Sequence, residues 1–271
     1  MLTGTQIEQY HENGYIIVPD FLSSPEVEKL YGIATADDVM LNHAFDLNDS
    51  SGKKTRLSLW YTPGDDAYGL LTRSKRMVDA VDQLMDKGGS VCHFHSKLMQ
   101  KEPKVGGAWE WHQDYGYWYK NEFLFPNRMI SVMIAITDAN RENGCLEVIK
   151  CSHQMGRVEH GFTGEQVGAS QRYVDLALGV MEHVYVELNA GDALFFHSNI
   201  LHRSGANLSE KPRWSLISCY NRSENIPYNE PSGKSTFSID VVPDDALLTR
   251  TLSSLSDGAA FLEKEKDQAL K

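Results

Sequence analysis

The sequence predicts a mainly β fold of the α+β type, a sandwich or jelly roll carrying helices on its outside. Three observations predict it. From about residue 90 onward, short strand-like runs alternate with turn signals. Before residue 90, apolar residues recur instead at helical spacing in several segments. Met129–Ile136 is an apolar run broken only by Ser131, which suits a central strand, although periodicity alone leaves a buried helix open.

Thr5-Gln6-Ile7-Glu8 is a capping-box pattern and opens a short helix that Gly14 ends. Tyr15–Val18 reads as a strand stopped by Pro19. Ser24-Pro25 starts a second helix, with serine as N-cap and proline in the first helical position. Val27, Leu30, Tyr31 and Ala34 then line one apolar face. Residues 42–56 are rich in Asn, Asp, Ser and Gly and are expected to form an exposed loop able to close over a site. Leu57–Tyr61 fits a strand ended by Pro63-Gly64, and a helix after Ser74 would bury Met77, Val81, Leu84 and Met85. Val91–Met99, Cys145–Ile149, Ala193–Phe196 and Trp214–Tyr220 read as strands, and Val184, Val186 and Leu188 alternate with polar neighbours. Residues 152–182 are more irregular, with a helix near Tyr173–Met181. Residues 255–268 read as a polar helix or a fraying tail. With no internal repeat, low-complexity tract or linker, residues 1–271 are expected to form one domain, a helical part over 1–89 and a jelly-roll core over about 90–222.

Net charge is −11, which argues against nucleic acid or an anionic membrane as partner, because both need a basic surface. Hydrophobic residues make up 41%, enough for a sizeable core. Cys92, Cys145, Cys151 and Cys219 form no Cys-x-x-Cys pair, so a cysteine zinc site is not expected. The N-terminus does not resemble a signal peptide, and no apolar run reaches the length of a bilayer span. A reducing cytoplasm with free thiols is the expected setting.

The stretch Trp109–Trp118 carries the chemistry. On a strand, residues two apart share a face, so His112 and Asp114 would project together. A lone His-x-Asp is common, and the reading depends on a third ligand. The segment from Asp192 to Arg213 supplies His202, with Ser204 two residues on and Arg213 starting the next strand after a turn. In an antiparallel neighbour Arg213 would return beside Ser204, and a guanidinium beside a hydroxyl makes a carboxylate clamp. Two histidines and one carboxylate form the facial triad that holds non-haem Fe(II) with open coordination positions.

These pieces together resemble the phytanoyl-CoA dioxygenase family of Fe(II)/2-oxoglutarate oxygenases. The matching residues are His112-Gln113-Asp114, Asn143-Gly144-Cys145-Leu146 with Ser152-His153, Gly191-Asp192, and His202-Arg203-Ser204 with Arg213. Asn13-Gly14-Tyr15 and Val18-Pro19-Asp20-Phe21-Leu22 resemble the family's opening. The resemblance covers most of residues 5–222. It implies a cupin-like double-stranded β-helix in which His112, Asp114 and His202 bind iron, while Arg213 and Ser204 hold the distal carboxylate of 2-oxoglutarate. Dioxygen and 2-oxoglutarate would be spent to hydroxylate a C–H bond, with release of succinate and carbon dioxide. The retained Asp114 argues against halogenation. Further co-substrate contacts are expected from His95–Lys101, where the sequence singles out no residue.

The remaining histidines, His93, His95, His153, His160, His183 and His197, take a structural reading, with His95 and His197 nearest in expectation to the pocket. The aromatic residues around the motif are expected mostly in packing. Tyr117, Trp118 and Asn199 are the candidate substrate contacts, the two rings as a wall for a cationic amine. The expected substrate is a small polar molecule carrying an amine and an acidic group, with 2-aminoethylphosphonate or a trimethylated analogue as the example. An amino acid, an ectoine-like compound and an acyl-CoA are the alternatives. A cupin-like metal protein without oxygenase activity is the rival from another class, and the Arg213–Ser204 pair counts against it. A homo-oligomer is compatible with the sequence.

Overall fold

The computed structural model describes residues 1–36, 39–49, 51–163, 165–228, 237–257 and 259–262. Helix α1 (Gly4–Asn13) is capped by Thr3, whose hydroxyl accepts from the Gln6 N–H at 3.2 Å while Gln6 Oε1 accepts from the Thr3 N–H at 2.9 Å. The capping box therefore starts two residues before the expected Thr5, since Gln at the third helical position serves as well as Glu. Gly14, at φ 83°, ends the helix. Strand β1 (Tyr15–Val18) follows, and α2 (Ser24–Ala36) buries Leu30 and Ala34 but leaves Tyr31 exposed.

After α3 (Val39–Asn42), residues expected as an open loop form a hairpin, β2 (Phe45–Asn48) with β3 (Lys54–Trp60). The polar composition concealed a period of two. Leu47, Thr55 and Leu57 are buried, while Asp46 pairs with Lys54 and Arg56 on the other face. Asp49 pins the turn by accepting N–H bonds from Ser51, Lys53 and Ala108. Helix α4 (Ala67–Thr72), which the sequence reading did not anticipate, is capped by Asp66. Helix α5 (Lys75–Leu84) buries Met77, Val81 and Leu84 as expected.

The strands β4 (Val91–Lys101), β5 (Trp109–His112), β6 (Ile130–Ala135), β7 (Leu146–Ile149), β8 (His160–Thr163), β9 (Gln166–Ala169), β10 (His183–Val186), β11 (Ala193–His197), β12 (His202–Ser204), β13 (Arg213–Arg222) and β14 (Phe237–Ser238) complete the sheets. Helix α6 (Asp114–Trp118) follows β5, α7 (Gln171–Leu178) follows β9, and α8 (Ala246–Thr249) follows β14. The larger sheet has the order β1-β11-β6-β13-β4-β3-β2, with β14 also on β4; the smaller one has the order β10-β7-β12-β5. Neighbours in both pair antiparallel. Hairpin β8–β9 occupies part of the stretch expected to be irregular.

The larger sheet is covered on both faces. Val132, Ile134, Phe195 and Leu216 pack outward against Leu30, Tyr68, Met77 and Val81 of the helices. Met133, Phe196 and Ile217 pack inward with Leu146 and Val148 of the smaller sheet. Burial on both faces explains why β6 is apolar but for Ser131 and carries no alternation. None of the four cysteines forms a disulfide among the described residues. No helix of the described residues is long and apolar enough to cross a membrane. Of the polar helix or tail expected over 255–268, residues 255–257 and 259–262 are not helical, and 258 and 263–268 lie outside the described residues.

Candidate active site

Strand β12 lies antiparallel to β5 and sets His202 directly opposite His112, with ring centroids 4.0 Å apart. The expected shared strand face of His112 and Asp114 is not what joins them. Strand β5 ends at His112, and Asp114 is the first residue of α6. Gln113 holds this corner. Its amide donates to the carbonyls of Gly156 and Asn199 and accepts from the Val158 N–H, while the Tyr115 N–H bonds the Ser198 carbonyl. His160 closes the corner from below, its Nε2 accepting the Gln113 N–H at 3.0 Å. Gly116 leaves it room, because a Cβ there would lie 2.2 Å from His160 Nε2.

The corner brings Asp114 Oδ1 to 3.8 Å from both His112 Nε2 and His202 Nε2. The three ligand atoms lie within 4.8 Å of one another, in the one such group among the described residues. Each imidazole is oriented by a backbone carbonyl: His112 Nδ1 to Glu110 O at 2.7 Å, His202 Nδ1 to Ile200 O at 3.0 Å. A carbonyl only accepts, so each Nδ1 carries the proton and each Nε2 presents its lone pair. Burial pushes both histidines below their ordinary range, His112 strongly, which keeps them neutral. Burial pushes Asp114 upward, but His202, Lys97 and the Ser131 hydroxyl outweigh it and hold the carboxyl below its usual value. Ser131 Oγ donates to Asp114 Oδ2 at 2.5 Å and leaves Oδ1 for the histidines. Two neutral imidazoles and one ionised carboxylate are a donor set suited to a divalent first-row metal with open positions.

A pocket runs from His112 and His202 past Met133, Leu146 and Ile217 to Ser204 and Arg213. The last two are not sheet neighbours, as the sequence suggested. Ser204 belongs to the smaller sheet and Arg213 to the larger, so they face each other across the sandwich. Arg213 pairs instead with Lys101, and Ile217 with Lys97. Arg213 is buried, donates to the Gly144 carbonyl, and is pushed down to about 10 by desolvation. The lining thus joins the two imidazoles to the apolar Met133, Leu146 and Ile217 and to three cations, Lys97, Arg203 and Arg213.

Lys97, Lys101 and Ser131 are site residues that sequence reasoning did not single out. The signal for the lysines was strand parity: His95, Lys97, Met99 and Lys101 alternate along β4, and Lys97 and Met99 line the pocket. The candidate substrate contacts lie elsewhere. The Tyr117 hydroxyl donates to Val167 O at 2.7 Å, and its ring stands edge-on to His112 at 5.5 Å. Trp118 is 4% exposed and packs edge-on against Phe94 and His95. Asn199 is buried, with Oδ1 lacking a hydrogen-bond partner among the described residues. None of the three borders the pocket leading to Arg213. His197 faces Tyr10 and His153 and bonds Asn127, away from that pocket.

The sequence model of the family described as phytanoyl-CoA dioxygenase (PhyH) matches residues 10–215. L-proline trans-4-hydroxylase from Streptomyces griseoviridis is 30% identical, over 88% of this chain and 94% of that protein. Methylphosphonate hydroxylase from Gimesia maris is 30% identical, over 81% of each. Among solved structures, EctD from S. alaskensis with bound Fe superposes with a TM-score of 0.69 at 20% identity, covering 83% of this chain and 79% of that one. The epimerase SnoN, in complex with Fe3+, alpha ketoglutarate and nogalamycin RO, gives 0.68 at 20% identity, with 81% and 83% covered. The two structures share the fold. The chain belongs to the phytanoyl-CoA dioxygenase family.

Proposed function

We propose that this member of the phytanoyl-CoA dioxygenase family hydroxylates an unactivated C–H bond of a small polar molecule bearing an amine and an acidic group. The class is that of the family: a dioxygenase using iron, 2-oxoglutarate and dioxygen. His112, Asp114 and His202 are proposed as the iron ligands. Arg213 and Ser204 are proposed to hold the distal carboxylate of 2-oxoglutarate. The observation that carries the reading is one pocket lined both by His112 and His202 of the His–Asp–His cluster and by a buried Arg213 that, among the described residues, has no paired carboxylate.

When bound, iron supplies the activation of dioxygen that the side chains cannot perform themselves. The chain does the rest by placement. The two carbonyl-tethered imidazoles and the Ser131-tethered carboxylate offer their lone pairs to one point. Met133, Leu146 and Ile217 exclude water around the middle of a five-carbon diacid. Arg213 fixes its far end, and a fork of two N–H groups sets its direction. Lys97, on the pocket wall and within electrostatic reach of Asp114, is placed to balance negative charge near the metal end.

Two relatives at 30% identity are named for proline and for methylphosphonate, both small and acid-bearing. They support a compact anionic substrate over an acyl-CoA. Within that class an aminophosphonate such as 2-aminoethylphosphonate, or a trimethylated analogue, is the preferred example and a cyclic amino acid the second. The test is a panel of aminophosphonates, prolines, ectoine and acyl-CoA thioesters, each followed by succinate release matched to hydroxylated product. Stoichiometric coupling with a small zwitterion is expected. Coupling confined to the thioesters would overturn the substrate class, and no 2-oxoglutarate turnover with any compound would favour the cupin-like rival.

A further inference from the structure

Two buried cations stand at Ser204 and Arg213, with Arg213 on the pocket lining and Lys101 behind Ser204, and among the described residues neither is paired with a carboxylate. Arg213 donates to the Gly144 carbonyl, while its Nε has no hydrogen-bond partner. Lys101 is fully buried and lies opposite Arg213 in the β13–β4 register. Its ammonium donates to the Ser204 hydroxyl at 2.8 Å and to the carbonyls of Ser204 and Gly205. Burial, followed by the charge of Arg213, drives its pKa well below the ordinary lysine value. A methionine would fill the same space without the cost of burying an ammonium.

What the lysine adds is direction. The Ser204 hydroxyl and the carbonyls of Ser204 and Gly205 give each proton of an ammonium an acceptor, and in that charged form, which a carboxylate bound at Arg213 would favour, Lys101 has no lone pair and only donates to Ser204 Oγ. The serine proton must then point elsewhere. Lys101 is the only hydrogen-bond partner of that hydroxyl among the described residues, and Ser204 lines the pocket. We propose that Lys101 is a positioning residue, which holds the Ser204 hydroxyl with its proton aimed into the pocket, so that Ser204 donates to the carboxylate bound by Arg213. The inference rests on the reading of Arg213 and Ser204 as a 2-oxoglutarate clamp. Lys101 touches the co-substrate only through Ser204.

The test is calorimetric binding of 2-oxoglutarate to the Mn(II)-loaded protein, without turnover, in native protein and in Lys101→Met, Ser204→Ala, the double variant and Arg213→Lys. Lys101→Met and Ser204→Ala should each weaken binding about tenfold or more, the range of a hydrogen bond to a charged group. The double variant should be no weaker than the worse single one, because both changes remove the same oriented donor. Mn(II) affinity, measured without 2-oxoglutarate, should stay native in Lys101→Met; a general structural role would move it too. Native 2-oxoglutarate affinity in either single variant, or losses that multiply in the double, would overturn the inference. If Lys101→Met does not fold, native affinity in Ser204→Ala still overturns the proposal on its own. An Arg213→Lys variant that binds 2-oxoglutarate as tightly as native protein would sink the clamp itself. A loss confined to Arg213→Lys would sink only the role of Lys101.

Discussion

Ser131 Oγ donates to Asp114 Oδ2, and the other carboxylate oxygen stands 3.8 Å from the Nε2 of both His112 and His202. One hydroxyl on the central strand β6 thus settles which oxygen of Asp114 faces the histidines. Ser131→Ala should leave the fold intact and lower the affinity for Fe(II) or Mn(II) by about 10- to 100-fold, as loss of an outer-shell partner does elsewhere. A metal titration with unchanged affinity would mean that the α6 backbone alone orients the carboxylate.

The parts of this site that the sequence made legible are those that depend on local rules. Met129–Ile136 could be read as a central strand because both of its faces are covered and every residue along β6 is buried. His202 could be chosen because Ser204 and Arg213 follow it. What stayed hidden depends on contacts between distant segments. Asp114 leaves the strand because Gln113 is tied to Gly156, Val158 and Asn199, and no pattern near residue 113 announces those partners. Ser204 and Arg213 line one pocket from two different sheets rather than from neighbouring strands of one. The hairpin at residues 45–60 was masked by its polar outer face.

Arg213→Lys keeps the charge and loses the two-pronged geometry that matches a carboxylate. The half-saturating concentration of 2-oxoglutarate should rise about tenfold or more, with that of the prime substrate little changed. Steady-state kinetics in which both co-reactants are varied check this. A rise confined to the prime substrate would assign Arg213 to that molecule instead.

Among the buried histidines outside the metal cluster, His93 and His197 make stability depend on pH. Burial holds His93 down to about 4 and His197 down to about 3, against 6.5 for the free side chain. The folded state therefore favours their neutral forms and binds fewer protons than the unfolded chain below pH 6.5. Their contribution is complete above pH 6.5 and is lost as the pH falls from there towards 4 and 3. His93 sits between the Tyr61 carbonyl and the Ser96 hydroxyl, with no carboxylate beside it in those contacts to welcome a second proton. Thermal melts from pH 7.5 to 4 should show a falling Tm, and His93→Asn should flatten that slope even if it lowers Tm at neutral pH. An unchanged slope in the variant would remove His93 from the account.

Trp118 tests whether the aromatic residues after Asp114 are wall or packing. It was expected to face the substrate as a ring for a cationic amine, yet it lies 4% exposed, edge-on to Phe94 at 5.4 Å and to His95 at 5.9 Å. It closes α6, the helix whose first residue is Asp114. Trp118→Ala should therefore cost about 3–5 kcal/mol of stability, the usual price of emptying a buried aromatic site. Because the same helix positions the carboxylate, any uncoupled decarboxylation of 2-oxoglutarate should appear together with the fall in Tm. Trp118→Phe, which keeps a ring against Phe94, should restore most of both. The two readings separate in one measurement pair, Tm and the ratio of product to succinate. A Trp118→Ala protein with native Tm but weakened substrate binding would make the ring a substrate wall after all, and the preference for an amine-bearing substrate would then regain direct physical support.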